Sequence, residues 1–282
     1  MRLTDIGTVK QIMEENGLSF QKRFGQNFLI NEAVPRKIAE AGAGKCTLEI
    51  GPGIGTLTRE LAVRSEKVVA VEIDDTLIPV LAKTLGDLPN TSVVHSDVMK
   101  LDLPAFIREH FGDEPVSVCA NLPYYITTPI IMRLFEGGVK FASVTVMIQR
   151  EVADRICAAP GSADYGAITA AIAYYGKAEK LFRVSPGSFM PAPKVESTVI
   201  RITPHAEPPV ETVDTARFFR IIKAAFAQRR KTLLNALCSE FHELGKERAA
   251  AIITASGFDP RIRGEKLSCE DFAKIERNFE LN

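Results

Sequence analysis

The sequence predicts an α/β protein: a mostly parallel sheet wound with helices, with an antiparallel edge, followed by a small all-α domain. Three observations carry this. Short β-branched runs alternate with helical patterns from about residue 33 onward, as expected of strands covered by helices on both faces. A proline-rich segment, TPHAEPPVETVD, then changes the composition and reads as a linker. From Thr215 to the end the apolar spacing is helical throughout, with Gly257 and Pro260 as punctuation.

Taken in order, strands are expected at Thr47–Ile50, Val68–Ile73, Ser92–His95, Ser117–Ala120 and Val144–Ile148, with helices between them. Two later runs, Lys180–Val184 and Ser197–Ile202, flank SPGSFMPAPKVE and are expected to form an antiparallel pair closing one edge. The boundary falls near residue 205, giving an α/β domain over 1–205 and a helical domain over 206–282. At roughly 150 residues per domain, a chain of 282 residues fits two such units.

Composition excludes several classes. With 46% hydrophobic and 25% charged residues, disorder, collagen and coiled coil are set aside. Five cysteines form neither a disulfide framework nor C-x-x-C pairs, which fits a reducing, cytoplasmic compartment. The N-terminal MRLTDIGTVKQIMEENGLSF carries acids where a signal peptide needs an apolar core. The longest uncharged stretch, Pro115 to Met132, holds three prolines and cannot span a bilayer. A soluble protein with no membrane partner is expected, and the scattered His95, His110, His205 and His242 give no reason to invoke a metal. Thirty-five basic residues balance 35 acidic ones, so the whole molecule offers no net attraction to a polyanion.

The segment TLEIGPGIGTLTREL places Gly51, Gly53 and Gly55 between the first strand and a helix. Glycines there let a ligand approach the backbone and leave helix N-terminal amides free. Glu72 ends the second strand, where an acid can accept both ribose hydroxyls. Asp97 follows the third strand and Asn121 the fourth. Four successive strand ends thus carry a glycine loop or a polar residue on the edge where open α/β sheets bind ligands. This points to an adenosine-containing cofactor and leaves its other half open, because G-x-G-x-G departs from the dinucleotide G-x-G-x-x-G.

Directly after the fourth strand comes NLPYY: Asn121, Leu122, Pro123, Tyr124 and Tyr125. It resembles the (Asn/Asp/Ser)-Pro-Pro-aromatic signature of methyltransferases acting on exocyclic amines of nucleobases, with Leu122 replacing the first proline. The chemistry explains the residue types. The 6-amino nitrogen of adenine is a poor nucleophile with two hydrogens to donate. The Asn121 side-chain carbonyl and a backbone carbonyl can hold both hydrogens and aim the lone pair, while Tyr124 stacks on the ring.

FGQNFL (Phe24 to Leu29), EIGPGIGTLT, NLPYYIT, FMPAPKVES (Phe189 to Ser197) and FAQRRKTLLN (Phe226 to Asn235) together resemble the bacterial small-subunit (16S) ribosomal RNA adenine dimethyltransferase family over about residues 20 to 275. The resemblance implies a Rossmann-like class I methyltransferase fold using S-adenosyl-L-methionine, and dimethylation of two adjacent adenosines near the 3′ end of 16S rRNA. The partner it implies is the 30S subunit or its precursor, met late in maturation by a monomeric enzyme. By motif position, Asn27 and Leu29 border the cofactor's methionine side, the lead over 1–30 completing that site. Gly51 and Gly53 lie in the loop beneath it, Glu72 takes the ribose, and Asp97 takes the adenine amine. Asn121 sits between cofactor and substrate, and Phe189 sandwiches the target base opposite Tyr124. The sequence equally allows Phe189 as an apolar plug between the two late strands. The rivals to this reading are the related large-subunit adenine methylase, a non-catalytic ribosome-assembly or transcription factor on the same fold and, least favoured, a nicotinamide dehydrogenase.

Between Thr215 and Ser239 stand Arg217, Arg220, Lys223, Arg229, Arg230 and Lys231, with no acid. On one continuous helix all but Arg229 fall within an arc of about 140°, opposite Phe218, Ile222, Ala225, Phe226, Leu233 and Leu237. Solvated helix faces usually mix signs and this one does not, so phosphate contact is expected, extended by Lys22, Arg23 and Lys194.

Overall fold

The computed structural model describes residues 2–18, 27–228 and 230–280. The expected RNA contacts Lys22 and Arg23, and Arg229 of the cationic stretch, lie outside these residues. The strands are β1 (Phe28–Leu29), β2 (Cys46–Ile50), β3 (Lys67–Glu72), β4 (Thr91–His95), β5 (Val116–Asn121), β6 (Ser143–Gln149), β7 (Gly176–Val184), β8 (Phe189–Met190) and β9 (Ser197–Pro204). The helices are α1 (Ile6–Glu15), α2 (Ala33–Gly42), α3 (Thr56–Ala62), α4 (Ile78–Leu85), α5 (Leu103–Phe111), α6 (Thr127–Glu136), α7 (Arg150–Ile156) and α8 (Ala167–Tyr175). The later part adds α9 (Thr215–Ala227), α10 (Leu233–Glu240), α11 (Lys246–Ala255) and α12 (Cys269–Arg277).

Seven strands form one sheet in the order β4-β3-β2-β5-β6-β9-β7. The first five are parallel to their neighbours, with Glu49 beside both Ala70 and Cys119. All five residues of β2 are buried, Thr47 and Glu49 included, because helices cover both faces of the parallel part of the sheet. β9 runs antiparallel to β6, from Val144 opposite Ile202 to Gln149 opposite Ser197. Every expected strand is present, most of them longer by a residue or two. The exception at its end is Ile73, which lies beyond β3 and is exposed. The two-residue ladder of β1 with β8 had no sequence signal.

Two compact units result: one holds the residues up to Ala153 together with Glu179–Pro204, and the other holds Asp154–Ala178 with the residues from His205 onward. Asp154–Ala178, expected within the α/β domain over 1–205, groups instead with the helical unit. Burial explains this. Tyr165, Ala170 and Tyr174 share a core with Phe218, Ile221 and Phe272, and the Tyr165 hydroxyl donates to the Leu267 carbonyl at 2.7 Å. In the α/β unit, Val9, Ile12 and Met13 of α1 pack on Phe28, Ile54, Leu77 and Leu81.

The single helix expected through Thr215–Ser239 is also corrected. α9 ends at Ala227 and α10 begins at Leu233. Thr232 supplies a fresh N-cap, accepting from the Asn235 N–H, and the Leu233 N–H is taken by the Ile262 carbonyl at 2.7 Å. Arg230 and Lys231 thus sit in the connection, off the helical face on which they were projected. The apolar half of the expectation holds, with Phe218, Ile222, Ala225, Leu233 and Leu237 all buried.

Candidate cofactor and substrate cleft

The sheet order reverses between β2 and β5, with β3 and β4 on one side and β6 on the other. Such a switch point leaves a crevice beyond the carboxyl ends of the two strands. A cleft enclosing about 1060 Å³, open mouth included, lies there. Its lining contains Asn27, Leu29, Gly51, Gly53, Glu72, Asp97, Asn121, Leu122, Pro123 and Tyr124. Ten of the residues singled out in the sequence therefore converge on one cavity.

The loop after β2 turns through left-handed backbone at Gly51 and Gly53, with φ of +70° and +60°, a conformation that side chains rarely tolerate. A Cβ on Gly51 would meet nothing within 4 Å, so the backbone is open to a ligand. The Gly53 N–H donates to Glu72 Oε2 at 3.1 Å and the Asp74 N–H donates to Oε1 at 2.9 Å. These fix the carboxylate at the end of β3, while burial pushes its pKa up against their effect. Asp97 Oδ1 accepts from the Met99 N–H at 2.9 Å, closing the turn after β4 and leaving Oδ2 with Lys100 Nζ at 3.8 Å.

Asn121 ends β5, and its Nδ2 donates to the Asn27 carbonyl at 3.2 Å. That bond assigns the amide's ends, so Oδ1 is the atom left for the cleft. The next peptide is equally specific. The Leu122 N–H donates to the Met147 carbonyl at 3.1 Å, and Leu122 itself is buried. The Pro123 carbonyl is occupied twice, by the Ile126 N–H and the Thr127 hydroxyl. No described donor reaches the Leu122 carbonyl. Two uncommitted carbonyl oxygens, one side-chain and one backbone, thus stand on adjacent residues. Tyr124 is half-buried, and its hydroxyl shares a 2.6 Å hydrogen bond with the buried Ser197 hydroxyl. Burial raises the Tyr124 pKa, which keeps the phenol neutral.

Phe189 departs from its expected role. It pairs with Leu29 across the β1–β8 ladder, is 2% exposed and packs with Val34, Leu57 and Val199. It does not line the cleft, so the plug reading is the one the structure supports. Three residues that do belong here were missed. Glu49, within β2, lines the cleft at 1% exposure with Oε2 lacking a partner among the described residues. Burial, then the nearby Glu72, pushes its pKa up to about 8. Ser197 and Tyr125 were inside quoted motifs without a role. The sequence did hold a signal for Glu49, since a charged residue inside a strand expected to be buried on both faces needs a reason.

The cations of the helical unit divide. Arg217 is bound to Glu276 at 2.7 Å and to Glu280 at 2.7 Å, and Arg220 reaches Glu240 at 3.1 Å and lies over the Phe241 ring. The stretch lacks acids in sequence, but other helices supply them. Lys223, Arg230 and Lys231 are exposed, with no ion pair among the described residues, and Lys194 is exposed on the α/β unit.

Residues 17–280 match the family described as ribosomal RNA adenine dimethylase. The ribosomal RNA small subunit methyltransferase A of Alkaliphilus oremlandii is 46% identical over 281 residues, spanning 99% of this chain and 98% of that protein. A dimethyladenosine transferase from Plasmodium falciparum superposes with a TM-score of 0.73 at 24% identity, covering 89% of this chain and 96% of its own. The 23S rRNA methyltransferase ErmE gives 0.66 at 26% identity, covering 89% and 99%. With a family match spanning nearly the whole chain and a near-full-length relative at that identity, this chain belongs to the ribosomal RNA adenine dimethylase family.

Proposed function

We propose that this protein dimethylates the 6-amino groups of two adjacent adenosines near the 3′ end of small-subunit ribosomal RNA. The substrate is the small subunit or its precursor, late in maturation, and the enzyme acts as a cytoplasmic monomer. The observation that carries the reading is the pair of uncommitted acceptors, Asn121 Oδ1 and the Leu122 carbonyl, at the switch-point cleft. The full-length likeness to a small-subunit methyltransferase supports the choice of subunit.

The cleft suits S-adenosylmethionine, a cation bearing an adenosine. Glu49 Oε2 is a buried acceptor without a partner among the described residues, the position of a Gly51 Cβ is open, and the Glu72 carboxylate is already oriented by two N–H groups. Glu72 holds the ribose, Asp97 the adenine amine, and Asn27, Leu29 and Gly51 border the methionine side. When bound, the cofactor supplies a methyl group activated by its sulfonium.

The chain's own residues align and stabilise. Asn121 Oδ1 and the Leu122 carbonyl accept the two amine hydrogens and hold the nitrogen lone pair toward the methyl. Positive charge develops on that nitrogen during attack, and both carbonyl dipoles stabilise it without reorganising. The surplus proton leaves to solvent, so no strong base is required. After one transfer the amine keeps a single hydrogen, which one acceptor holds while the other side admits the new methyl. Tyr124, fixed through Ser197, sets the plane of the base. An adenine inside a duplex cannot reach this cleft, so the base is extruded or taken from a single strand. Lys194, Lys223, Arg230 and Lys231 contact phosphates.

The test is transfer of labelled methyl from S-adenosylmethionine to undermethylated small subunits and to large subunits, followed by mapping of the modified bases. Two adjacent dimethylated adenosines in the small subunit are expected. Label confined to large subunits would replace this reading with the large-subunit one.

A further inference from the structure

Three aromatic residues line the cleft among the described residues: Phe28, Tyr124 and Tyr125. They are not equivalent. Phe28 is buried in an apolar cluster with Ile54 and Leu77, and Tyr124 is half-buried and tied to Ser197. Tyr125, in the turn between β5 and α6, is 60% exposed. Among the described residues the large exposed hydrophobics are Ile6, Val63, Ile73, Tyr125, Val195 and Val213, so Tyr125 is the one aromatic ring in that set. It stands at the mouth of the site where chemistry occurs. Phe189, expected to face the base, is withdrawn into the core.

An exposed tyrosine ring leaves apolar area in water that stacking would remove, and every nucleobase has a face to stack on. The substrate presents two neighbouring adenosines to one cleft, so whichever base enters leaves its neighbour outside. Consecutive Cα atoms are about 3.8 Å apart, which lets two successive rings serve two successive bases. We propose that Tyr125 is the stacking platform for the nucleobase adjacent to the one being methylated, holding the strand in register at the cleft mouth. This rests on reading the cleft as the methyl-transfer site.

The experiment compares Tyr125→Ala, Tyr125→Phe and Tyr125→Trp on undermethylated small subunits, with Asn121→Ala run beside them. Tyr125→Ala is expected to raise KM for the subunit about tenfold, to change kcat far less, and to leave affinity for S-adenosylmethionine unaltered. Tyr125→Phe and Tyr125→Trp should restore KM, because the ring and not the hydroxyl is used. An unchanged KM in Tyr125→Ala, an equal loss in Tyr125→Phe, or a parallel loss of cofactor affinity would each overturn the platform. The control separates the two readings. Full transfer by Asn121→Ala brings down the cleft assignment itself, whereas an inactive Asn121→Ala beside a wild-type-like Tyr125→Ala brings down only the platform.

Discussion

Two buried glutamates show how differently the cleft and the helical unit use the same group. Glu276 of α12 is fully buried and saturated: it accepts from the Val213 and Asp214 N–H groups and from two nitrogens of Arg217. Glu49 of β2 is as deeply buried, yet its Oε2 has no partner among the described residues. A carboxylate with its bonds filled staples structure, here the end of the proline-rich linker to α12. One with a bond open is an expensive arrangement unless something arrives to fill it. The contrast extends to neutral groups, since no donor among the described residues reaches Asn121 Oδ1 or the Leu122 carbonyl. In these two places the filled group holds the scaffold, and the open ones are available to a ligand.

The largest effect should come from removing an open acceptor. Asn121→Ala deletes Oδ1 together with the bond to the Asn27 carbonyl, and methyl transfer should fall about 10³-fold, in the range seen when one transition-state dipole is removed. Cofactor affinity should change only a few-fold, because Glu72, Asp97 and the glycine loop remain. Single-turnover transfer with labelled cofactor and equilibrium binding measure the two separately. A variant that loses both equally would make Asn121 a scaffold residue.

Glu276→Ala should do the reverse. It takes from Arg217 its buried partner, leaving only the exposed Glu280, and strips two linker N–H groups of their acceptor, so the helical unit should lose about 3 kcal/mol of stability. Cofactor binding should be unaffected. Thermal unfolding followed beside calorimetric titration of S-adenosylmethionine checks this, and an unshifted unfolding transition would remove the staple.

Glu49→Gln tests the open carboxylate by pH. Burial raises its folded pKa to about 8 from an ordinary 4.5. Between those values the unfolded chain releases a proton that the folded chain retains, so stability falls as pH rises through that window and the effect is absent below it. Glutamine cannot ionise. The variant should therefore be more stable than the parent at pH 8 by about 4 kcal/mol, with the curves meeting near pH 4.5. Above pH 8, where the parent carries a charge that the variant lacks, it should also bind the cationic cofactor less tightly. Parallel denaturation curves across that range would show that Glu49 does not titrate there.

Much of this was legible in the sequence, and the part that was not has a common cause. Parallel strands, the glycine loop and the polar residues at successive strand ends are local patterns, and the topology had only to bring their carboxyl ends together. Phe189 was misplaced because its burial depends on Leu29, 160 positions away in the chain and opposite it in a two-residue ladder. Glu49 was overlooked because its meaning lies in a bond it does not make. The cationic stretch looked free of acids because Glu240, Glu276 and Glu280 come from other segments. The break at residue 228 was likewise hidden, since the Ile262 carbonyl that takes the Leu233 N–H is distant in sequence.

The smallest effects should separate filled from open cations. Arg217 has its guanidinium bonds filled by Glu276 and Glu280, so it releases few counterions on meeting RNA. Lys223, Arg230 and Lys231 are exposed and unpaired among the described residues, and each phosphate they neutralise should release a condensed ion. Replacing these three by Ala should lower the slope of log affinity against log salt by about 0.7 to 0.9 for every phosphate no longer neutralised. Each replacement should weaken subunit binding only a few-fold. Arg217→Ala should leave the slope unchanged while lowering the unfolding temperature. Binding to undermethylated small subunits, titrated across salt concentrations, gives the slope and the affinity in one series, and thermal unfolding of Arg217→Ala completes the comparison. If the triple variant keeps the parent's slope, these cations are merely solvated. If Arg217→Ala lowers it, the ion pairs of α9 open on RNA, and the division between filled and open groups does not extend to this unit.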